Sequence, residues 1–238
     1  MSRIRSISIS FIHMLKFVKK DMMLLAAGVS PVMIGAAIRF GIPFIENLLV
    51  KYMGLPYVME PYYGLIDILF AAITPVIFCF VAAMVILEEH DDHIDRFLFV
   101  TELGKRGYYI SRIIVPAVIA FVITAALLPI FGLSDQSIAV EMSIALAGTL
   151  QGIIIALLVV TLSSNKLEGM ALTKLSSLLM LGAVVPYIMP KPYSYILSFM
   201  PSFWTGMMIN ENNIVYMAAC VAVSMVWIAL LGIASKNK

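Results

Sequence analysis

The densest run of residues able to do chemistry is Glu88-Glu89-His90-Asp91-Asp92-His93-Ile94-Asp95-Arg96, followed by the apolar Phe97-Leu98-Phe99-Val100 and then Thr101-Glu102-Leu103-Gly104-Lys105-Arg106-Gly107. Three readings fit it. His90 and His93 stand three apart among five carboxylates, a composition that can ligate a metal ion and would make the chain an intramembrane metal enzyme. A solvated acidic loop has the same composition and no chemistry of its own. In the third reading Ile94, Phe97, Leu98 and Phe99 form one face of a short helix lying along a membrane, with Asp91, Asp92, Asp95 and Glu102 left for a partner protein to grip.

No energy source is written into the chain. The phosphate-cradling GxxxxGK[ST] loop is absent, because Gly104-Lys105 lacks both the upstream glycine and the following Ser or Thr. HExxH and GxSxG are absent as well. Inside the apolar runs each polar residue costs free energy unless it is paired or wetted. There Gly148, Thr149, Gln151 and Gly152 stand out. The GxxxG pair lets another backbone come close, and Gln151 either hydrogen-bonds a neighbouring helix or lines a substrate path. Thr74 and Thr124 are candidates for the same roles. Arg39, Glu46, Asp67, Asp135, Glu141 and Glu211 are read as charges solvated at the membrane surface, an outer gate being the alternative. The 17 methionines are scattered through the apolar runs, which fits packing rather than copper handling. Cys79 and Cys220 lie in apolar runs and make no secreted disulfide framework.

These residues must be held by membrane-spanning helices. Of 238 residues 62% are hydrophobic and 13% charged, with a mean hydropathy of +1.01, far above a soluble domain. The net charge of +2 is too even for a nucleic-acid partner. Runs long enough to cross about 30 Å of hydrocarbon occur at 22–42, 65–87, 108–133, 138–163, 173–189 and 211–234. Thirteen Lys and Arg fall on one side of these spans, including Lys236 and Lys238, and only Arg39, Lys51 and Lys191 on the other. Positive loops stay inside, so both termini are expected to be cytoplasmic in the cell (inner or plasma) membrane. The first run starts after Lys20 and is full length, which marks a retained span and not a cleaved signal.

Within residues 1–20, Ile4, Ile7, Phe11, Leu15 and Val18 recur at helical spacing opposite Arg3, Ser6, Ser10, His13 and Lys20. This predicts an interfacial helix on the inner leaflet, a disordered basic leader being the alternative. Pro31, Pro75, Pro116, Pro129 and Pro186 predict kinks or breaks inside spans. Outer loops rich in Pro43, Pro56, Pro61, Pro190, Pro192 and Pro201 are expected to be folded. Tyr193, Tyr195, Phe203 and Trp204 are expected at the headgroup level, as an aromatic belt or as short helices dipping into it. The expected fold is an all-α integral membrane protein, six transmembrane helices preceded by an amphipathic interfacial helix, with 1–238 as a single domain.

In this arrangement the chain resembles the membrane subunit of an ATP-binding cassette (ABC) exporter of the type-two permease class, as in drug-export permeases. The stretch from Glu88-Glu89 through Val100-Thr101 to Arg106-Gly107-Tyr108-Tyr109 and Arg112 is similar to the family's acidic residues, short apolar helix, threonine, basic pair and tyrosine. Asn165-Lys166-Leu167-Glu168-Gly169-Met170-Ala171-Leu172-Thr173-Lys174-Leu175, Pro186 and Pro201-Ser202-Phe203-Trp204 resemble its second cytoplasmic turn and its proline-aromatic-tryptophan segment. The chain departs from the family pattern in having Asp92-His93 where a glycine is usual and Glu102 where a proline is usual.

The resemblance implies that the chain forms a translocation pathway with a second permease, identical or related, in membrane lipid. It also implies separate ABC ATPase subunits, which hold ATP and Mg, bind no cofactor through this chain and grip the coupling segment 88–107. On that reading Glu88, Glu89, Asp91, Asp92, Arg96, Phe97, Thr101, Glu102, Lys166 and Glu168 couple to the ATPase, and exchanging Glu88 and Glu89 for alanine uncouples transport without loss of fold. An ion-coupled secondary transporter is the alternative. It needs carboxylates near the bilayer midplane, and none stands in the central turns of any span.

Overall fold

The computed structural model describes residues 3–20, 22–54 and 58–234; Pro56, Lys236, Lys238 and the side chains of Arg3 and Ile4 lie outside that description. Every described element is helical, as a lipid-immersed backbone requires when it must satisfy its own hydrogen bonds. In chain order these are α1 (Arg3–Val18), α2 (Met22–Ala36), α3 (Ile42–Met53), α4 (Tyr63–Asp91), α5 (Ile94–Phe99), α6 (Gly104–Tyr109), α7 (Val115–Phe131), α8 (Ile138–Leu162), α9 (Lys166–Ser176), α10 (Val185–Ile188), α11 (Pro201–Asn210) and α12 (Tyr216–Ala234). Among the described residues five helical runs have the length and composition of membrane spans: Leu24–Tyr52, Glu60–Asp91, Gly104–Phe131, Ile138–Leu162 and Tyr216–Ala234.

The expected span at 173–189 is not one continuous helix. It is α9, a 3₁₀ stretch Ser177–Ala183 and the short α10, whose second residue is Pro186. The composite nevertheless runs the length of α4. At one end Lys166 bonds Glu88 and Asp91, and at the other Tyr187 packs against Tyr62 with ring centroids 6.2 Å apart. Gly182 lies so close to Ser202 and Met200 that a Cβ would collide there, and the tighter 3₁₀ turn fits this crowding.

Prolines widen turns as well as break them. The turns Ala37–Gly41 and Ile110–Ile114 are π-helical, and each is followed two residues later by a proline, Pro43 or Pro116. A proline clashes with the carbonyl four residues back and cannot donate to it. Those carbonyls belong to Arg39 and Arg112, and the widened turn accommodates them.

The core is built on α4 and α8, which run parallel and make the most extensive helix pair. A Cβ on Gly148 would stand 2.6 Å from Ala71 O, and one on Gly152 would stand 2.8 Å from Pro75 O. Only glycine permits backbones this close. α7 packs across both helices, α2 flanks α4, and α12 lies along α8.

The segment between α10 and α12 dips into the bundle. Trp227, eleven residues into α12 and so roughly 16 Å along its axis, donates to Phe199 O at 2.8 Å. α11 then climbs back, Thr205 meeting Cys220 and Ile209 meeting Gly64 near the helix ends. Phe203 is fully buried in this hairpin, with Trp204 5.3 Å from it and stacked on Tyr216 at 6.1 Å, while Tyr193 is exposed. The aromatic segment therefore forms short helices entering the bundle, and Phe203 does not sit in a headgroup belt.

α1 leans on the bundle with Ile7, Phe11 and Val18 of the stripe its spacing predicts, but the buried face is turned so that it also takes in Ser10 and Met14 and leaves Leu15 out. Ser10 and Met14 are its most buried residues, whereas Ile9, Ile12 and Leu15 are exposed. Ser10 turns inward because a buried arginine needs its oxygen atoms.

Candidate functional site

The charged segment at one end of the bundle is organised around two carboxylates that point inward. Glu89 accepts from Arg112 Nε at 3.0 Å and Nη2 at 2.6 Å, and from the Tyr108 hydroxyl at 2.6 Å. Arg112 is 2% exposed, and its Nη1 donates to Ser10 O at 2.8 Å and Ser10 Oγ at 3.1 Å. One buried ion pair thus ties α1, α4 and the widened turn before α7. Spacing alone singles out Glu89 and not Ser10 or Arg112, because no local pattern marks residues about 100 apart as neighbours.

Glu88 faces the other loop. Lys166 Nζ donates to Glu88 Oε2 at 2.5 Å, and Lys166 N donates to Asp91 Oδ2 at 3.2 Å. The start of α9 is capped reciprocally: Asn165 Oδ1 accepts from Glu168 N at 2.9 Å, and Glu168 Oε2 accepts from Ser164 N at 2.7 Å. The two charged loops are therefore one joined unit.

Asp95 does not await a partner protein. It is buried, bonds His90 Nδ1 at 2.8 Å and accepts from Arg96 N at 2.8 Å. His93 occupies the left-handed backbone region with φ 59°, at the place where the resemblance expects glycine. Among the described residues no group of three His, Cys, Asp or Glu side chains could hold a metal ion.

The outward side of this unit is apolar and charged together. Phe97 is 72% and Val100 85% exposed, and Leu167 on α9 is 80% exposed. Asp91, Asp92, Arg96, Thr101, Glu102 and Glu168 are exposed around them. Leu98 and Phe99 turn inward against Leu103 and Tyr108, the Phe99 and Tyr108 rings meeting edge to face at 5.2 Å. The apolar residues of α5 thus divide, Phe97 outward and Leu98 and Phe99 inward.

A second polar group lies inside the bundle. Gln151 is 3% exposed, and neither amide atom has a partner among the described residues; buried Thr74 Oγ1 is also unpaired. Gln151 lines a cavity of about 20 Å³ with Gly148, Ala72, Met180, Ser202 and Thr205. Its walls come from α4, α8, the 3₁₀ break and the dipping hairpin. Thr149 and Thr124 do not join it, since each hydroxyl donates to the carbonyl one turn back at 2.8 Å. The contributions of Thr205 and Met180 follow only from the hairpin's entry and have no sequence signal of their own, while Ser202 is marked only by its place in the Pro201–Trp204 segment.

At the opposite end two carboxylates expected to be solvated are buried. Glu46 accepts from Met59 N at 3.1 Å, Glu60 N at 3.2 Å and the Tyr63 hydroxyl. Asp67 accepts from Leu133 N and Ser134 N, both at 2.9 Å, and from the Ser134 hydroxyl. Tight connections leave backbone N–H groups unpaired, and these side chains satisfy them. Arg39 donates to Gly132 O at 2.8 Å, and Lys191 pairs with Glu211, which also accepts from Tyr216 at 2.7 Å.

The family model that matches the chain, over residues 14–232, is described as fluoroquinolones export permease protein Rv2686c-like. No curated protein and no solved structure matches it.

Proposed function

Because the chain belongs to the Rv2686c-like family of fluoroquinolone export permeases, and is therefore a multi-pass membrane transport permease, we propose that it is the permease half of an ABC exporter for amphipathic drugs of that kind. Separate ATPase subunits drive it. The observation that carries this reading is the exposure of Phe97 and Val100 on one charged loop and of Leu167 on the other, set on a unit that the Lys166–Glu88 and Arg112–Glu89 pairs lock to α4 and α7. An apolar knob ringed by charges suits a partner groove. A push on a unit so fastened tilts α4 and α7 as rigid bodies. ATP and Mg belong to the partner, both termini lie in the cytoplasm by the charge asymmetry of the loops, and a second permease copy or paralogue completes the pathway. Gln151 lines that pathway once the hairpin and the 3₁₀ break move away from α4 and α8.

The test is purification of the tagged chain from its native membrane in mild detergent, with mass spectrometry of whatever accompanies it. An ATPase subunit at near-equal amount is expected, and its loss in Phe97→Ser with Val100→Ser, at unchanged thermal stability of the permease. Recovery of the wild-type chain alone in repeated mild preparations overturns the proposal.

A further inference from the structure

A groove of about 550 Å³ opens on the flank of the bundle, at the end that carries the charged loops. One wall is the α6–α7 helix at Ile110, Ile113 and Ile114, the other is α12 at Ile228 and Gly232, and Ile153 and Leu157 of α8 floor it. Lys105 and Arg106 stand at its mouth with Tyr109, and no carboxylate lines it. Both cations are exposed, and neither makes an ion pair among the described residues; Lys105 rests 5.9 Å above the Phe99 ring. The nearby acids are engaged elsewhere. Asp95, which lines an adjoining hollow together with Lys105 and Tyr109, is paired with His90, and Glu102 lines a separate hollow beside α1.

From Lys105 to Ile114 is about 14 Å along a helix, close to the depth of one leaflet of a roughly 30 Å hydrocarbon core. Two cations at headgroup level above an isoleucine-lined slot of leaflet depth match one chemistry, an anionic headgroup on an acyl chain. We infer that this groove is a binding site for one anionic phospholipid of the leaflet at the charged end. Its phosphate lies between Lys105 and Arg106 and an acyl chain runs down past Ile113, Ile153 and Ile228. The inference needs the bundle to lie in a bilayer and does not rest on the ATPase reading.

The full chain, exchanged in mild detergent into equal phosphatidylglycerol and phosphatidylcholine, is examined by native mass spectrometry for retained lipid. Wild type is expected to keep one phosphatidylglycerol per chain in preference to phosphatidylcholine. Lys105→Ala with Arg106→Ala should lower that preference by about 30-fold, from roughly 1 kcal/mol per cation. Gly232→Trp, at a position where a Cβ meets nothing within 4 Å, fills the slot with both charges intact and should abolish retention. Both variants must elute and melt as wild type does, and Lys105→Gln with Arg106→Gln replaces the alanine pair if it does not. Equal retention of the two lipids by wild type, or a preference untouched by Gly232→Trp, overturns the site. A high yield of disulfide-linked dimer from Gly232→Cys also overturns it, because a second copy then occupies the groove.

Discussion

Glu88 and Glu89 are adjacent in the chain and opposite in energetic standing. Glu89 neutralises Arg112, whose side chain is 3% exposed, while Glu88 and its partner Lys166 are 30% and 25% exposed. Removing one partner of a buried pair strands the other and costs about 3–5 kcal/mol, whereas a solvent-accessible pair is worth about 0–1 kcal/mol. Glu89→Ala should therefore lower the thermal midpoint of the detergent-solubilised protein sharply and Glu88→Ala barely, which differential scanning fluorimetry resolves. For the same reason the joint replacement of both glutamates is no clean test of coupling, contrary to the expectation drawn from the segment as a string of acids. His93 offers the reverse case. Its left-handed backbone costs a non-glycine residue about 1–2 kcal/mol, so His93→Gly should raise the midpoint; a fall would mean that its side chain contributes more than the strain it imposes.

Between helices, close approach decides. A Cβ on Gly152 would stand 2.8 Å from Pro75 O and 3.2 Å from Cys79 Sγ, whereas Gly28 faces open space. Gly152→Ala should destabilise by about 1–3 kcal/mol through overpacking. Gly28→Ala should stabilise by up to about 1 kcal/mol through helix propensity. Opposite signs in the melting shifts are the expected result, and equal signs would remove the close-contact account of α4 and α8.

The dipping hairpin is pinned at its outer margin by Lys191 and Glu211. The hydrogen bond from Lys191, then that from Tyr216, holds the Glu211 carboxyl below its ordinary 4.5, and the same contact with Glu211 holds Lys191 above its ordinary 10.5. A lowered carboxyl pKa adds stability above the unfolded value that is lost as pH falls through the folded one. A raised ammonium pKa adds stability below its unfolded value that is lost as pH rises through the folded one. The midpoint difference between wild type and Glu211→Gln should thus be fullest between those two values, close below pH 4.5 and close again above pH 10.5.

For the whole molecule the decisive feature is Gln151, an amide kept without a partner among the described residues at the meeting of α4, α8, the 3₁₀ break and the hairpin. A buried unpaired polar group costs about 1–3 kcal/mol, so Gln151→Leu should leave stability unchanged or raise it. If Gln151 lines the pathway in another state, the same change lowers export of a fluorescent amphipathic substrate from loaded cells. Loss of stability together with loss of export would mark it as a packing residue instead.

Composition, apolar run length and loop charge already determined that this is an all-helical membrane bundle, because hydrocarbon forbids unpaired backbone and the cost of burying charge is large and local. The GxxxG pair was readable for the same reason: close approach is a property of the glycine itself. What only the tertiary structure decided is direction and partnership. Which of Glu88 and Glu89 points inward, that Ser10 serves Arg112 from across the chain, that Glu46 and Asp67 bind loop backbone, and that 173–189 breaks where the hairpin enters all depend on neighbours remote in sequence. Periodicity assigns a residue to a face of its own helix. Whether lipid, water or another helix lies against that face is set by how the helices pack, and in a membrane the apolar and the protein-facing sides share one composition.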